Sequence, residues 1–113
     1  MKKIEAIIKP IKLDEIKDAL LEINLSGLTI IEAKGFGRQK GLDELNENID
    51  SYSVEFLPKI KIEIIVDDDL LEKTIEIINQ TAYSGKIGDG KIFISNIDEV
   101  IRIRTGEKGS DAV

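Results

Sequence analysis

Lys59-Ile-Lys-Ile-Glu-Ile-Ile-Val-Asp-Asp-Asp69 is the stretch that decides the fold, because a strand pattern runs directly into a helix start. Apolar side chains alternate with mostly charged ones, and successive side chains of a strand point to opposite faces. The sequence therefore predicts a strand from Val54 to Val66 with one buried face and one charged face. On the charged face we expect Lys61 and Glu63 to form solvated ion pairs. The aspartates then favour a helix, since negative charge stabilises a helix amino end.

After the aspartates, the pattern changes to helical spacing and then back to strands. Mostly apolar positions three and four residues apart predict an amphipathic helix. They are Leu71, Thr74, Ile75 and Ile78, of which only Thr74 carries a polar group. A strand is predicted from Lys91 to Ser95, and a short final strand from Val100 to Arg104. The second half of the chain thus contains a strand, a helix and further strands.

The first half of the chain has the same order of elements. A strand runs from Lys3 to Ile8 and stops before Pro10, a helix runs from Leu13 to Ile23, and a second strand runs from Leu28 to Lys34. Two β-α-β halves predict an α+β protein with the ferredoxin-like double split βαβ plan, an antiparallel sheet with two helices on one face. Residues 1–113 would form a single domain.

The composition excludes several classes of function. The chain has 16 Lys and Arg against 22 Asp and Glu, a net charge of −6, so we expect no direct nucleic-acid partner. Without Cys or His it lacks disulfides, thiolate zinc sites, cysteine nucleophiles and the usual neutral-pH base. A bound metal would be oxygen-ligated, as magnesium is. With no signal peptide and no bilayer-spanning apolar run, we expect a cytoplasmic protein that buries apolar surface by self-association.

The segment from Gly35 to Ser53 lacks periodicity and is long for a loop inside a compact domain. Its entrance, Gly35-Phe-Gly-Arg-Gln-Lys-Gly41, combines glycines with a guanidinium and an ammonium, which suits the binding of an anion. Loops of this length are usually functional, so the sequence predicts a mobile binding loop. A tolerated insertion is the alternative.

The segment Gly85-Lys-Ile-Gly-Asp-Gly-Lys91 has the first spacing of a P-loop but is not one. Ile92 stands where a P-loop has Ser or Thr, and the segment joins a helix to a strand instead of a strand to a helix. It is either a simple glycine turn or a phosphate contact, made by backbone amides around Asp89 and by the charge of Lys91.

Arg102 and Arg104 would share one face of the predicted final strand. Two guanidinium groups side by side suit a polyphosphate. Alternatively, they guard a sheet edge against unwanted pairing or lie in solvent. Three anion-binding segments in one small acidic chain favour the functional interpretation of all three together.

Four motifs carry a family resemblance over essentially the whole chain. They are Gly35-Phe-Gly-Arg-Gln-Lys-Gly41, Phe56-Leu-Pro-Lys-Ile-Lys-Ile-Glu63, Thr81 with Gly85-Lys-Ile-Gly-Asp-Gly-Lys-Ile-Phe93, and Val100-Ile-Arg-Ile-Arg-Thr-Gly-Glu107. In these motifs the sequence resembles the PII nitrogen-regulatory signal-transduction proteins. The resemblance implies a ferredoxin-like subunit in a compact homotrimer. It also implies ATP or ADP in the clefts between subunits, with 2-oxoglutarate bound beside ATP through magnesium.

The resemblance assigns a role to each segment. Residues 35–53 would be the mobile T-loop, residues 82–91 the B-loop, and residues 102–113 the C-loop and tail. The nucleotide-binding residues would be Thr29, Gly35, Gly37, Arg38, Gln39, Glu63, Gly88, Asp89, Gly90, Lys91, Arg102 and Arg104, with the two arginines reaching phosphates from a neighbouring subunit. The 2-oxoglutarate site would comprise Gln39, Lys40, Gly41, Lys59 and Gly88, and Gln39 would also ligate magnesium.

The tip of the long loop departs from the family's pattern. It is one residue longer than usual, and Asn46 and Glu47 replace the Tyr and Arg that many members carry. Tyr52 matches a tyrosine that some members have nucleotidylated, and Ser51 and Ser53 are lesser modification candidates. The acidic residues of the tip favour a basic partner surface, and they are Asp43, Glu44, Glu47 and Asp50.

The resemblance implies a non-catalytic sensor of ATP, ADP and 2-oxoglutarate, which would regulate nitrogen-assimilation proteins through the conformation of residues 35–53. The target would be an ammonium transporter, an enzyme or a regulator. The protein would associate with a membrane only by binding a transporter. Two alternatives stay open. One is a small ferredoxin-like hydrolase of phosphate esters that uses Arg38 or Lys91, and the other is a purely structural binding module.

Overall fold

A computed structural model describes residues 1–37 and 56–113 of the chain. Its elements follow one another as β1 (Lys2–Ile8), a 3-10 turn (Pro10–Lys12), α1 (Leu13–Leu21), β2 (Thr29–Gly35), β3 (Leu57–Val66), α2 (Asp68–Ala82), β4 (Lys91–Asn96) and a second 3-10 turn (Gly109–Ala112). Of the strand predicted from Val54 to Val66, the part from Leu57 onward is confirmed, and its first two residues lie outside the described segments.

The four strands form one antiparallel sheet in the order β2-β3-β1-β4. Strand β1 is central, because Ile4 pairs with Ile64 of β3 on one side and with Ile94 of β4 on the other. Two β-α-β halves joined in this order are the ferredoxin-like plan. The predicted fold class is therefore confirmed.

Both helices cover the isoleucine face of the sheet. Alternate residues of β1 and β3 are buried with residues of α1 and α2 in one core, which comprises Ile4, Ala6, Ile8, Ile16, Leu20, Ile60, Ile62, Ile64, Val66, Ile78 and Ala82. Thr74 is fully buried among them, and its hydroxyl donates a hydrogen bond to the carbonyl oxygen of Leu70 at 2.7 Å. This buried polar side chain is therefore satisfied.

The opposite face of the sheet, which we call the open face, carries a cluster of paired charges. The ammonium of Lys61 lies 3.1 Å from a carboxylate oxygen of Glu5 and 3.1 Å from one of Glu63, and Lys3 lies 3.1 Å from Glu5. Hydrogen bonds from Lys3 and then from Lys61 lower the pKa of Glu5, while those to Glu63 and Glu5 raise the pKa of Lys61. The side chains keep over a quarter of their surface exposed, so the predicted solvated ion pairs are confirmed.

Helix α1 is shorter than predicted. It ends at Leu21, whereas the apolar spacing predicts a helix as far as Ile23. Asn24 adopts the left-handed conformation with φ of 57°, which ends helical hydrogen bonding, and Asn is one of the residues that tolerates this region. Ile23 still packs against the core from outside the helix, so its apolar character reflects burial instead of helical structure.

The predicted final strand from Val100 to Arg104 is wrong. Only an isolated bridge between Ile101 and Lys108 forms in this part of the chain, and the residues between them make a turn that we call the arginine turn. The amide of Gly106 donates to the carbonyl oxygen of Arg102 at 2.8 Å, and the φ of 74° at Gly106 suits glycine. Arg102 and Arg104 therefore do not share the face of a strand.

Candidate functional site

Predicted site residues from three strands and a turn meet at one end of the sheet, which we call the turn end. Lys91 of β4 pairs with Ile7 of β1, and a side chain on Gly35 of β2 would lie 3.7 Å from Cγ of Lys59 on β3. Residues 83–90 connect α2 to β4 at the same end, and we call this connection the glycine turn. A cavity of about 230 Å³ lies beneath the glycine turn, lined among others by Tyr83.

A single side chain ties β3 to the glycine turn. The ammonium of Lys59 donates a hydrogen bond to the carbonyl oxygen of Gly88 at 3.1 Å. These are two of the residues that the sequence predicts for the 2-oxoglutarate site. The structure therefore brings both to one place.

The glycine turn lies against the backbone of β1. A Cβ atom on Gly90 would sit 1.7 Å from the carbonyl oxygen of Ile7, which is closer than any side chain allows, and its φ is +100°. Both facts require glycine at this position. The close approach fixes the path of the chain as it enters β4 at Lys91.

Asp89 organises the interior of the glycine turn. Its carboxylate accepts hydrogen bonds from the amide of Ser84 at 2.9 Å, from the amide of Gly85 at 3.0 Å and from the hydroxyl of Ser84. The ammonium of Lys9, at the end of β1, adds an ion pair at 3.1 Å. The hydroxyl and amide of Ser84, with Lys9 and the amide of Gly85, hold the pKa of the Asp89 carboxyl far below its usual range.

Arg102 and Arg104 belong to the arginine turn, which lies at the opposite end of the sheet, and we call this end the tail end. Thr29 pairs with Glu63 across β2 and β3, four residues along β3 from Lys59 and therefore about 13 Å away. Glu63 also pairs with Glu5, the central residue of β1, so Thr29 and Glu63 lie near the middle of the sheet, between its two ends. The arginine turn is at the tail end, since the hydroxyl of Ser110, which follows it, donates at 2.9 Å to Asp67 at the start of α2. Arg102 is held within its own turn, with its guanidinium 3.3 Å from a carboxylate oxygen of Glu107.

The predicted nucleotide site is thus divided into two groups within one chain. The glycine turn follows the last residue of α2, whereas the arginine turn is attached beside the first. Helix α2 has 15 residues and so separates the two by about 22 Å. Gly35, Lys59, Gly88, Asp89, Gly90 and Lys91 form the turn-end group, and Arg102 and Arg104 form the tail-end group, while Thr29 and Glu63 lie between the two.

Part of the predicted site lies outside the described residues, namely Arg38, Gln39, Lys40, Gly41 and the modification candidates Ser51, Tyr52 and Ser53. Gly37 lies just beyond β2, where the described chain breaks off. The two flanks of this segment are in contact, because the rings of Phe36 and Phe56 stand edge to face with centroids 5.4 Å apart. Phe36, which follows β2, and Phe56, which precedes β3, therefore contact each other close to the turn-end group.

Sequence reasoning missed Lys9 and Ser84, the two side chains that hold Asp89. Lys9 is 80 residues from Asp89 in sequence, so no spacing rule joins them. Ser84 stands just before the glycine motif, and a Ser at the start of a turn is ordinary. The sequence contains one sign of this arrangement, because Asp89 stands between two glycines. A carboxylate in such a turn commonly accepts hydrogen bonds from nearby backbone amides.

Two further features were not found within residues 1–37 and 56–113, namely a cluster of metal ligands and a membrane-spanning helix. These residues contain no group of three or more acidic side chains placed to hold a metal ion. No helix among them is long and apolar enough to cross a bilayer.

The chain is similar to known proteins over nearly its whole length. The family model described as "Nitrogen regulatory protein P-II" matches residues 1–107. The chain is 64% identical to a nitrogen regulatory protein P-II of Bradyrhizobium diazoefficiens and 61% identical to one of Azospirillum brasilense, each over all of both chains. A crystal structure of Arabidopsis thaliana PII bound to citrate is 38% identical, with a TM-score of 0.80, covering 99% of this chain and 91% of that one. The chain therefore belongs to the P-II family of nitrogen regulatory proteins.

Proposed function

We propose that this protein is a non-catalytic homotrimeric sensor that binds ATP or ADP between neighbouring copies and binds 2-oxoglutarate beside magnesium ATP. Its output is the conformation of residues 35–53, which nitrogen-assimilation proteins would recognise. The regulatory role follows from membership of the P-II family. The ligands, the trimer and the targets are the parts that need testing.

The observation that carries the proposal is the division of the site. One chain cannot bring Lys91 of the turn-end group and Arg102 of the tail-end group to one ligand, because they lie at opposite ends of the sheet. A symmetric oligomer would bring the two groups together, because a head-to-tail contact would place the tail end of one copy against the turn end of the next. Three copies then complete three sites.

The turn-end group has the chemistry that a nucleotide requires. Gly88 and Gly90 both have positive φ, and glycine allows a ligand to approach the backbone closely. Lys91 supplies a cation, and the guanidinium groups of a neighbouring copy's Arg102 and Arg104 would supply paired donors for phosphate oxygens.

The proposed 2-oxoglutarate site depends on Lys59, which can donate to a carboxylate at the turn end. The Arabidopsis relative was crystallised with citrate, and this supports recognition of a small carboxylic acid. Gln39 and the ligand oxygens would hold magnesium, which prefers oxygen ligands and would neutralise the phosphates and the carboxylates together.

Calorimetric titration of the protein with 2-oxoglutarate, with and without magnesium ATP, tests the ligand proposal, because a sensor of both requires coupling between the two. We expect 2-oxoglutarate to bind only when magnesium ATP is present. Binding of ATP alone would leave an adenylate sensor, and binding of neither ligand would favour the structural module. Sustained phosphate release from ATP would favour the hydrolase.

A mixing experiment tests the shared site directly. The variants Lys91→Ala and Arg102→Ala should each bind ATP poorly as pure proteins, because each removes one half of every cleft. Coassembled in equal amounts, they should regain about a quarter of the clefts with both halves intact, by random assortment in a head-to-tail ring. A mixture that binds no more ATP than the two pure variants would contradict the shared site. Separately, light scattering of the parent protein would show whether it is a trimer.

A further inference from the structure

We infer that Asp89 is a positioning residue: its carboxylate, together with Ser84 and Lys9, fixes the backbone of the glycine turn and does not itself contact the nucleotide. The inference deepens the proposed function, on which its ligand-binding part rests. It replaces the expectation that Asp89 lines the nucleotide cleft as a contact residue.

The first argument is that the carboxylate is engaged inside its own turn. Two consecutive amides, those of Ser84 and Gly85, point at the same oxygen, Oδ2, at 2.9 and 3.0 Å. The other oxygen, Oδ1, accepts from the Ser84 hydroxyl and from the Lys9 ammonium. Both oxygens therefore already have donors that belong to this chain.

The second argument is the role of the Ser84 hydroxyl, which joins the members of the cluster. While it donates to Asp89, its oxygen accepts from the amide of Lys86 at 3.2 Å and from the ammonium of Lys9 at 3.3 Å. The hydroxyl thus orients the carboxylate and holds the next part of the backbone. Such a cluster positions a loop, whereas a contact residue for a ligand needs a side chain aimed outward.

The third argument concerns charge. A carboxylate among the groups that bind phosphate would repel the ligand, but Lys9 lies 3.1 Å from Asp89 and neutralises it. The pair is therefore compatible with an anion bound nearby. The glycine turn is also held from outside the cluster, by the contact of Gly90 with β1 and by Lys59 at Gly88.

Removing the cluster should loosen the turn between residues 84 and 89 and weaken every ligand that uses its backbone. The loss should be the same for ATP and ADP, because the carboxylate touches neither nucleotide. A direct contact would instead give a loss confined to Asp89, and Ser84 would not matter.

The decisive variants are Ser84→Ala, which changes no charge, and Ser84→Thr, which keeps the hydroxyl. Asp89→Asn is tested alone and with Lys9→Met, because the double variant also preserves the net charge. We expect Ser84→Ala, Asp89→Asn and the charge-preserving double variant to weaken ATP and ADP equally, each by about three- to tenfold, while Ser84→Thr retains binding. Adding Ser84→Ala to Asp89→Asn should cost little more, because both changes break one cluster.

Amide hydrogen exchange in the ligand-free protein gives an independent measurement. In Asp89→Asn, the amides of residues 84 and 85 should exchange at least about tenfold faster than in the parent protein, because each loses a charged acceptor. Unchanged exchange in Asp89→Asn would overturn the inference, whether or not the protein binds a nucleotide. Absence of nucleotide binding in the parent protein would by itself refute only the proposed function. A changed ATP-to-ADP affinity ratio, or full additivity of Ser84→Ala and Asp89→Asn, would show a direct ligand contact and overturn it as well.

Discussion

The ammonium of Lys59 on β3 donates a hydrogen bond to the carbonyl oxygen of Gly88 in the glycine turn at 3.1 Å. Lysine has three N–H donors, so the contact occupies one and leaves two for a bound acid. Lys59 can therefore hold the turn and a carboxylate at the same time. The two parts of the proposed 2-oxoglutarate site are connected before any ligand arrives.

The substitution Lys59→Gln should abolish most 2-oxoglutarate binding and spare most ATP binding. A charge-assisted hydrogen bond to a carboxylate is lost, which corresponds to about a ten- to hundredfold weaker affinity for the acid. Calorimetry in the presence of magnesium ATP measures this loss. Lys17→Gln, on the exposed surface of α1, is the matched control. Equal losses for both ligands would show that Lys59 acts mainly by holding Gly88.

The substitution Glu107→Gln should strengthen ATP binding. In the free chain Glu107 pairs with Arg102 at 3.3 Å, so a phosphate must compete with it for the guanidinium. The pair is solvent-exposed and weak, and we therefore expect a gain of no more than about fivefold, largest at low salt. Glu76→Gln on α2 serves as the control. Weaker binding in Glu107→Gln would mean that Glu107 orients Arg102 for the ligand.

Three glycine substitutions separate steric contact from backbone conformation. Gly90→Ala combines a positive φ with a collision against Ile7, so it should lower the free energy of unfolding by more than about 3 kcal/mol. Gly106→Ala has positive φ but open space and should lower it by about 1–2 kcal/mol. Gly27→Ala has neither problem and should change it by less than about 0.5 kcal/mol. Urea unfolding of the three proteins ranks them, and equal effects at Gly90 and Gly106 would contradict the close contact.

Acid should remove the stability that Asp89 provides. The pKa of this carboxyl is lower in the folded protein than in the unfolded chain, where it is about 3.9. The contribution is therefore complete above that value and is lost as pH falls towards the folded pKa. We expect the difference in unfolding free energy between the parent protein and Asp89→Asn to stay constant from about pH 7 to about pH 5 and to shrink below about pH 4. A difference that widens on acidification would contradict the assigned hydrogen bonds.

The acidic tip of residues 35–53 should steer the loop towards a basic partner surface. Replacing Asp43, Glu44, Glu47 and Asp50 by their amides should slow association with a target and reduce its dependence on salt, since long-range attraction mainly raises the association rate. Surface plasmon resonance at two ionic strengths measures both effects. Unchanged rates at low salt would rule out a steering role.

The sequence predicts most of the fold because the alternation from Lys59 to Val66 and the aspartates after it act locally. It fails at Val100–Arg104, where the residues alternate as in a strand. A strand also needs a partner strand, and Gly106 turns the chain back upon itself before such pairing can extend beyond one bridge. Alternation reports which residues could share a face, not whether a neighbouring strand exists.

For the candidate site, the sequence predicts segments but not which way each side chain points. The family resemblance implies that Gly88 and Lys59 serve one ligand, and the structure brings them within hydrogen-bonding distance of each other. The resemblance implies that Asp89 lines the nucleotide cleft, whereas its carboxylate oxygens face Ser84, Gly85 and Lys9. Orientation of a carboxylate depends on distant donors, and a linear pattern contains no information about them.

The central position of β1 has a consequence for how the protein is made. Its hydrogen-bonding partners are β3 and β4, and its Lys2 contacts Asn96, 94 residues further along the chain. Helices form within microseconds, but pairing over such separations is slow because a large loop must close first. During synthesis on a ribosome, β1 emerges early and stays unpaired until β3 and then β4 follow it. We therefore expect the pairing of this strand with its distant neighbours, and not helix formation, to limit the rate of folding.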